Sequence, residues 1–268
     1  MREETTRRTR ATLGCARRRG PTRSHKPPLS EYPHKDTLGI GSLSACRICS
    51  PAVTDLIVTL DGPAGTGKST VSRKVASRLG VPRLDTGAFY RAAGLAAMRA
   101  GVDLADHEAV ANVVAGISLD QEEGKMLLDG LDVSQEIRNP ASTEASSRVS
   151  THPDVRGLLV VYQREWVSRH DNRAVVEGRD IGSVVFPEAT VKVYLDARPE
   201  VRAQRRADQT GKERAGVLEE LKARDERDST RQASPLIVPE GAVVIDTSDM
   251  SVDEVVDRIV ELARKAAI

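Results

Sequence analysis

LIVTLDGPAGTGKSTVSRKVASRL, Leu56 to Leu79, is the stretch that decides the fold of this chain. Its first five residues form a short apolar run suited to a strand buried on both faces. A glycine-rich turn follows at once, and then an amphipathic stretch from Ser69 to Leu79. The turn, GPAGTGKST, contains G-x-x-x-x-G-K-[ST] in full, placed after a strand and before a helix. That placement has a mechanical reason: glycines let backbone N–H groups point inward around phosphate oxygens, and the helix N-terminus adds partial positive charge. In such a motif the lysine, Lys68, reaches the β- and γ-phosphates and the hydroxyl of Ser69 can ligate Mg²⁺. Gly62, Pro63, Ala64, Gly65, Thr66, Gly67, Lys68, Ser69 and Thr70 are therefore the candidate cradle for ATP and its Mg²⁺. The motif does not choose the acceptor, because switches, motors and kinases all use it.

Outward from this unit, apolar runs at Ala174–Val176, Val191–Leu195 and Ala242–Ile245 alternate with helical patterns. These lie at Thr86–Ala100, Val155–Arg169, Pro199–Asp208, Val217–Arg231 and Val252–Ala266. The alternation predicts an α/β fold of the P-loop NTPase type, a mostly parallel sheet with helices on both faces. Gly116–Ser134 breaks the rhythm with short strand pieces, ISL, KMLL and LDV, separated by the turn signals EEGK and DG. It reads as a small antiparallel insert.

Composition bounds the rest. The chain has 268 residues, 39% of them apolar, enough for a substantial core, and no run approaches a membrane-spanning length. Residues 1–52 carry 11 Lys and Arg against 4 Asp and Glu, whereas the remainder carries 29 against 35. That basic segment is rich in Arg, Thr, Ser, Pro and Gly and reads as a disordered extension, with the folded domain over 53–268. All three cysteines, Cys15, Cys46 and Cys49, lie in the extension. Cys46 and Cys49 make one C-x-x-C without a second pair, so unpaired thiols are the plainer reading than a zinc or redox site. An RNA- or DNA-touching tail, a transit peptide and a start site placed too early are its other readings; the tail lacks interleaved aromatics, and no nucleic-acid partner is expected.

Phosphoryl transfer asks for alignment and for positive charge around a loosely bonded transition state. Tyr90 and Arg91 follow the turn in LDTGAFYR, and Arg179 and Asp180 sit in EGRD just past the strand AVVE, where parallel sheets bind ligands. Arg224, Asp228 and Arg231 stand at i, i+4 and i+7, which predicts one helix face. From spacing alone, a solvated helix laced with ion pairs is the plainer reading of ARDERDSTR.

From about Asp55 onward the chain resembles bacterial cytidylate kinases, with DGPAGTGKST, LDTGAFYRAA, DVSQEIR, EGRDIGSVVFP, VKVYLDA and LKARDERDSTR in order. The resemblance implies a kinase that moves the γ-phosphate of ATP to CMP or dCMP. It implies a nucleoside-monophosphate-binding part with the insert over about 86–150 and a mobile lid over about 202–231. Position by position it implies that Arg91 and Arg179 hold the acceptor phosphate. It gives Ser147, Arg156, Asp180 and Arg231 to the cytosine edge, Arg224 and Asp228 to the ribose, and Thr86 and Tyr90 to the same pocket. Lid arginines Arg202, Arg205 and Arg206 would swing over the ATP phosphates. Ala64 and Thr86 depart from the family pattern, each standing where some relatives carry serine. VKVYLDA looks like a strand ending in a metal-binding acid, yet the resemblance implies that this strand leads into the lid helix, which gives a structural role for Asp196 at least equal weight, and Asp196 is not assigned to Mg²⁺. A guanine-nucleotide switch lacks its N-K-x-D reader here, and kinases of UMP, AMP or shikimate would differ only in the acceptor pocket. A cytoplasmic monomer with no membrane contact is expected.

Overall fold

A computed structural model describes residues 55–266. The basic extension, the C-x-x-C and the domain boundary at residues 52 and 53 lie outside the described residues. Five parallel strands form the main sheet in the order β2-β6-β1-β7-β8. They are β1 (Leu56–Asp61), β2 (Arg83–Asp85), β6 (Arg173–Glu177), β7 (Val191–Asp196) and β8 (Val243–Asp246). A separate three-stranded antiparallel sheet, β3 (Leu119–Glu122), β4 (Lys125–Leu128) and β5 (Leu131–Asp132), is the insert that the turn signals announce.

Apolar strands covered on both faces need two cores, and both are present. On one face β1, β7 and β8 pack against α1 (Lys68–Leu79) and α8 (Val252–Ala266) through residues such as Val58, Leu195, Val75 and Ile259. On the other, Leu84 and Val176 meet Phe89 of α2 (Thr86–Ala100), Val110 of α3 (His107–Gly116) and Leu159 of α5 (Pro153–Ser168). Met126 and Leu128 of the insert join this second core. α8 shows how local rules and packing agree. Its buried Val255, Val256, Ile259, Val260 and Ala263 share one stripe, and Ser251 and Glu254 close a capping box, with Ser251 N–H donating to Glu254 Oε2 at 2.8 Å.

α3 and α4 (Pro140–Val149) appear in no sequence pattern above. α6 (Pro199–Thr210) and α7 (Arg214–Thr230) form a hairpin with a small core of its own, Ala203, Ala207, Val217 and Leu221. Among the described residues no helix is long and apolar enough to cross a membrane.

Strand register positions the site. Leu60 and Asp85 both pair with Glu177, so the carboxyl ends of β1, β2 and β6 finish level, and everything that follows them opens on one edge.

Candidate active site

The cradle starts where β1 ends. Gly62 has φ 138°, and a Cβ there would lie 2.0 Å from the carbonyl oxygen of Leu195 on β7, so the turn admits only glycine. Gly67 is left-handed at the N-cap of α1, and no side chain caps that helix. Its first N–H groups are thus left for an anion. Lys68 folds back over the loop, donating to the carbonyls of Gly62 at 2.8 Å and Pro63 at 2.6 Å. Desolvation, helped by the nearby Arg179 charge, pushes its ammonium down to about 7.

Beside the cradle stands a carboxylate that the sequence reading passed over. Glu177 closes β6 and is 3% exposed. It accepts from Ser69 Oγ at 2.9 Å, from Ser72 Oγ at 3.1 Å, and from Arg83 Nε and Nη2 at 3.1 and 2.8 Å. Burial raises its pKa, Asp85 adds to the rise, and Arg83 opposes it. The signal for it was available: an acid as last residue of an apolar strand, which becomes meaningful only once that strand neighbours β1. A hydroxyl and a carboxylate side by side are hard oxygen donors, the set Mg²⁺ takes alongside phosphates and water. Asp196, at the end of β7, is exposed and accepts from the N–H of Ala197 at 2.8 Å, in keeping with a structural role.

Across the edge lies a chain of guanidinium and carboxylate groups. Arg156 pairs closely with Asp180 and donates to the carbonyl of Ser150 at 3.0 Å, and its guanidinium sits 5.2 Å from the Tyr90 ring centre. Arg231 lies 3.8 Å from Asp180 and 3.6 Å from Asp228. Asp228 in turn faces Arg179 at 3.2 Å and Arg224 at 3.9 Å. Burial, with Arg179 beside it, pushes Arg224 down to about 10, and burial raises the Tyr90 phenol to about 12. Four cations held by two anions leave a surplus of positive charge in a partly dry site, and such a site favours an arriving anion. Arg179 also donates to the carbonyl of Gly62 at 2.9 Å, which joins this network to the cradle.

Two expectations change here. Arg231 is not on the helix: α7 ends at Thr230, and Arg231 is extended at φ −62°, ψ 140°, its guanidinium donating to the Ser234 carbonyl at 2.5 Å. Nor is Asp228 on α7 solvated, its side chain being 8% exposed, and that of Arg231 just past the helix is 5% exposed. Charges on every side of ARDERDSTR hide the fact that Asp228 faces Arg179, just past the end of β6.

Other acceptor-side residues gather on α2 and α4. Asp85 caps α2 by accepting from Ala88 N–H at 3.1 Å, and its second oxygen accepts from Arg91 at 3.1 Å. Thr86 donates to the Glu177 carbonyl at 2.7 Å, so the retained hydroxyl ties α2 to β6. Ser147 is buried on α4.

The hairpin arginines separate. Arg202 is buried, donating to the carbonyls of Ala197 at 3.0 Å and Ala64 at 3.2 Å and pairing with Asp225 at 2.5 Å. Arg205 donates to Thr247 Oγ1 at 3.0 Å and to the Thr247 carbonyl at 2.6 Å. Arg206 is exposed near Arg224. Ala64 packs against the hairpin core, a contact that a methyl suits. Behind the GRD turn, buried Asp61 accepts from the N–H groups of Ile181 and Gly182 at 2.7 and 2.8 Å; burial raises it to about 6.

Lys68, Arg205, Arg206 and all ten acceptor-side residues named from the sequence line one cleft of about 2160 Å³, whereas Arg202 sits behind it. A single small-molecule pocket holds roughly 300–1,000 Å³, so the cleft has room for two nucleotides.

The model of the cytidylate kinase family matches residues 58–265. A cytidylate kinase from Corynebacterium efficiens is 50% identical over 221 residues, covering 79% of this chain and 96% of that one. Another from Rhodococcus opacus is 49% identical over 217 residues, 78% of this chain and 94% of its own. One from Caldanaerobacter subterraneus is 46% identical over 215 residues, with 78% and 94% covered. A cradle, a guanidinium network joined to it and a match over nearly the whole described region agree: this chain belongs to the cytidylate kinase family.

Proposed function

We propose that the protein transfers the γ-phosphoryl group of ATP to CMP or dCMP, giving ADP and CDP or dCDP. The observation that carries this reading is the Arg179 bridge, from the Gly62 carbonyl at 2.9 Å to Asp228 at 3.2 Å. One guanidinium spanning cradle and acceptor network is what in-line transfer between two bound nucleotides needs, since the charge to be stabilised develops between them.

In this reading the cradle binds the ATP phosphates and Lys68 regains its proton as they arrive. Arg91 and Arg179 hold the acceptor phosphate. Arg156, Asp180, Arg231 and Ser147 read the cytosine edge, and Arg224 and Asp228 hold the ribose. Polar readers of this kind reject a wrong base because the mismatch leaves them buried and unpaired. Ser69 and Glu177 would hold Mg²⁺, which supplies charge neutralisation at the phosphates when bound. The α6–α7 hairpin, about 202–231, acts as the lid over the site, and about 86–150 as the acceptor-binding part. Arg205 and Arg206 face the donor phosphates from the lid; Arg202 anchors it to the P-loop through the Ala64 carbonyl. Closure excludes water, without which ATP would be hydrolysed. Nucleotides of this kind are cytoplasmic metabolites, and we place the enzyme there, as a monomer.

The test is a coupled ADP-release assay with ATP and Mg²⁺ across CMP, dCMP, UMP, AMP and shikimate. CMP and dCMP should lead by kcat/KM. Equal rates with UMP would overturn the cytosine-reading assignment.

A further inference from the structure

β2 is an edge strand of the main sheet, and its outer side is paired by a side chain. Gln121, on β3 of the insert and 4% exposed, donates from Nε2 to the Arg83 carbonyl at 3.0 Å. Its Oε1 accepts from the Asp85 N–H at 3.1 Å. Those two backbone groups lie on one side of β2, flanking Leu84, whose own neighbour across the ladder is Val176 on β6. The amide therefore stands where the peptide group of a next strand would stand.

Both groups it grips lead to the reacting end of the site. Asp85 starts α2 and holds Arg91 at 3.1 Å, while Arg83 reaches Glu177, which accepts from Ser69 at 2.9 Å. Gln121 is itself held from behind. Trp166 on α5 donates to its carbonyl at 2.7 Å, and Arg169 grips the adjacent Asp120 with bonds of 2.7 and 2.8 Å. α5 also carries Arg156. Insert, acceptor helix and cradle carboxylate thus meet at one amide.

We propose that Gln121 is a positioning residue for the acceptor-phosphate clamp: its amide fixes the end of β2 so that Asp85 holds Arg91 in register with the P-loop. This rests on the acceptor-site reading given under Proposed function. Gln121 acts on the clamp through Asp85, whose N–H donates to the Gln121 Oε1 at 3.1 Å and whose carboxylate accepts from Arg91 at 3.1 Å.

The test compares Gln121→Leu and Gln121→Glu with the wild type, measuring kcat and KM for CMP and for ATP, and Tm, from pH 5.5 to pH 8.5. Leucine removes both bonds. The introduced carboxyl of Gln121→Glu has the amide's shape and, when protonated, an O–H for the Arg83 carbonyl and a C=O for the Asp85 N–H. Once ionised it faces two acceptors, that carbonyl and the Asp85 carboxylate, with Arg83 and the Arg169-paired Asp120 as the other charges nearby. The expected result is a fall in kcat/KM for CMP of roughly 10- to 100-fold in Gln121→Leu, flat with pH relative to wild type, with KM for ATP nearly unchanged. Gln121→Glu should approach wild type at the acid end and fall away as pH rises. Variants that keep wild-type kcat/KM for CMP at every pH would overturn the proposal. So would losses that follow Tm alone and strike ATP and CMP equally. A wild type that does not phosphorylate CMP at all would instead sink the acceptor-site reading on which it rests.

Discussion

Replacing Glu177 by glutamine isolates the carboxylate beside the cradle, and the structure sets the size of the effect. Glu177 is 3% exposed, and burial raises its pKa above the ordinary 4.5. A folded-state pKa above the unfolded one means that folding favours the protonated form. Stability therefore falls as pH rises from the unfolded value through the folded one, and at neutral pH the charge costs stability. Glutamine removes that cost. It also weakens the charge-assisted bond to Arg83, a loss of about 1.5–3 kcal/mol, although Arg83 keeps Asp85 within 3.6 Å. The two terms oppose each other, so the net change should stay within about 2 kcal/mol, a Tm shift of no more than about 8 °C for a domain of this size. Activity should respond differently. The carboxylate accepts from the Ser69 hydroxyl at 2.9 Å and would share Mg²⁺ with it, so its loss should cost at least the roughly 10- to 100-fold in metal affinity or rate that follows loss of a ligand's hydrogen-bond partner. The assay is ADP release at saturating CMP against free Mg²⁺, with Tm measured in parallel. A higher Mg²⁺ requirement in a well-folded variant is expected. An unchanged Mg²⁺ half-saturation with unchanged kcat would refute the assignment.

Arg179→Ala should cut kcat by roughly 10²–10³ and raise the KM for CMP, while ATP still binds, as read by nucleotide titration; a variant changed only in ATP affinity would contradict its place between the nucleotides. Lys68, held near 7, should take up close to one proton for each ATP bound at pH 8 and almost none at pH 6, because arriving phosphates restore its charge. Calorimetry in two buffers of different ionisation enthalpy counts those protons, and no uptake at pH 8 would show that the lysine is already charged in the free protein. Gly62→Ala should lose about 3 kcal/mol or more, because its Cβ would sit 2.0 Å from the Leu195 carbonyl oxygen, a backbone atom with little freedom to move; a Tm within a few degrees of wild type would be incompatible with this turn. For Asp61, raised to about 6 by burial, stability should decline between about pH 4 and pH 6, and Asp61→Asn should make that slope shallower in a denaturant series, leaving the share that Glu177 contributes.

Whatever depends on neighbours along the chain was legible in the sequence. Gly62 to Thr70, the insert and the helix Val252–Ala266 each carry a complete local signal, and the last matches to the residue. α3 and α4 were missed for a physical reason. PASTEASSRV offers Ser and Thr that favour turns, and its helix depends on burying Ser142, Ala145 and Ser146, with a Pro at the first turn and an Asn139 cap. Arg231 was placed on a helix by periodicity, but α7 stops one residue short and the side chain returns by an extended bond. Glu177 leaves a local trace, an acid closing an apolar strand, but its meaning, like that of Gln121, comes only with topology. Glu177 matters because β6 lies beside β1, and Gln121 because β2 is an edge; neither fact is written within ten residues of either position. The site is thus a product of strand order as much as of motif.

The central claim is that two nucleotides lie with their phosphates between Lys68 and Arg179. It is tested most directly by following the label from γ-³²P-ATP in a mixture with CMP, Mg²⁺ and the protein. The label should appear in the β-phosphate of CDP, at a rate far above its release as inorganic phosphate. Label found only in inorganic phosphate, or carried to UMP as readily as to CMP, would contradict the account.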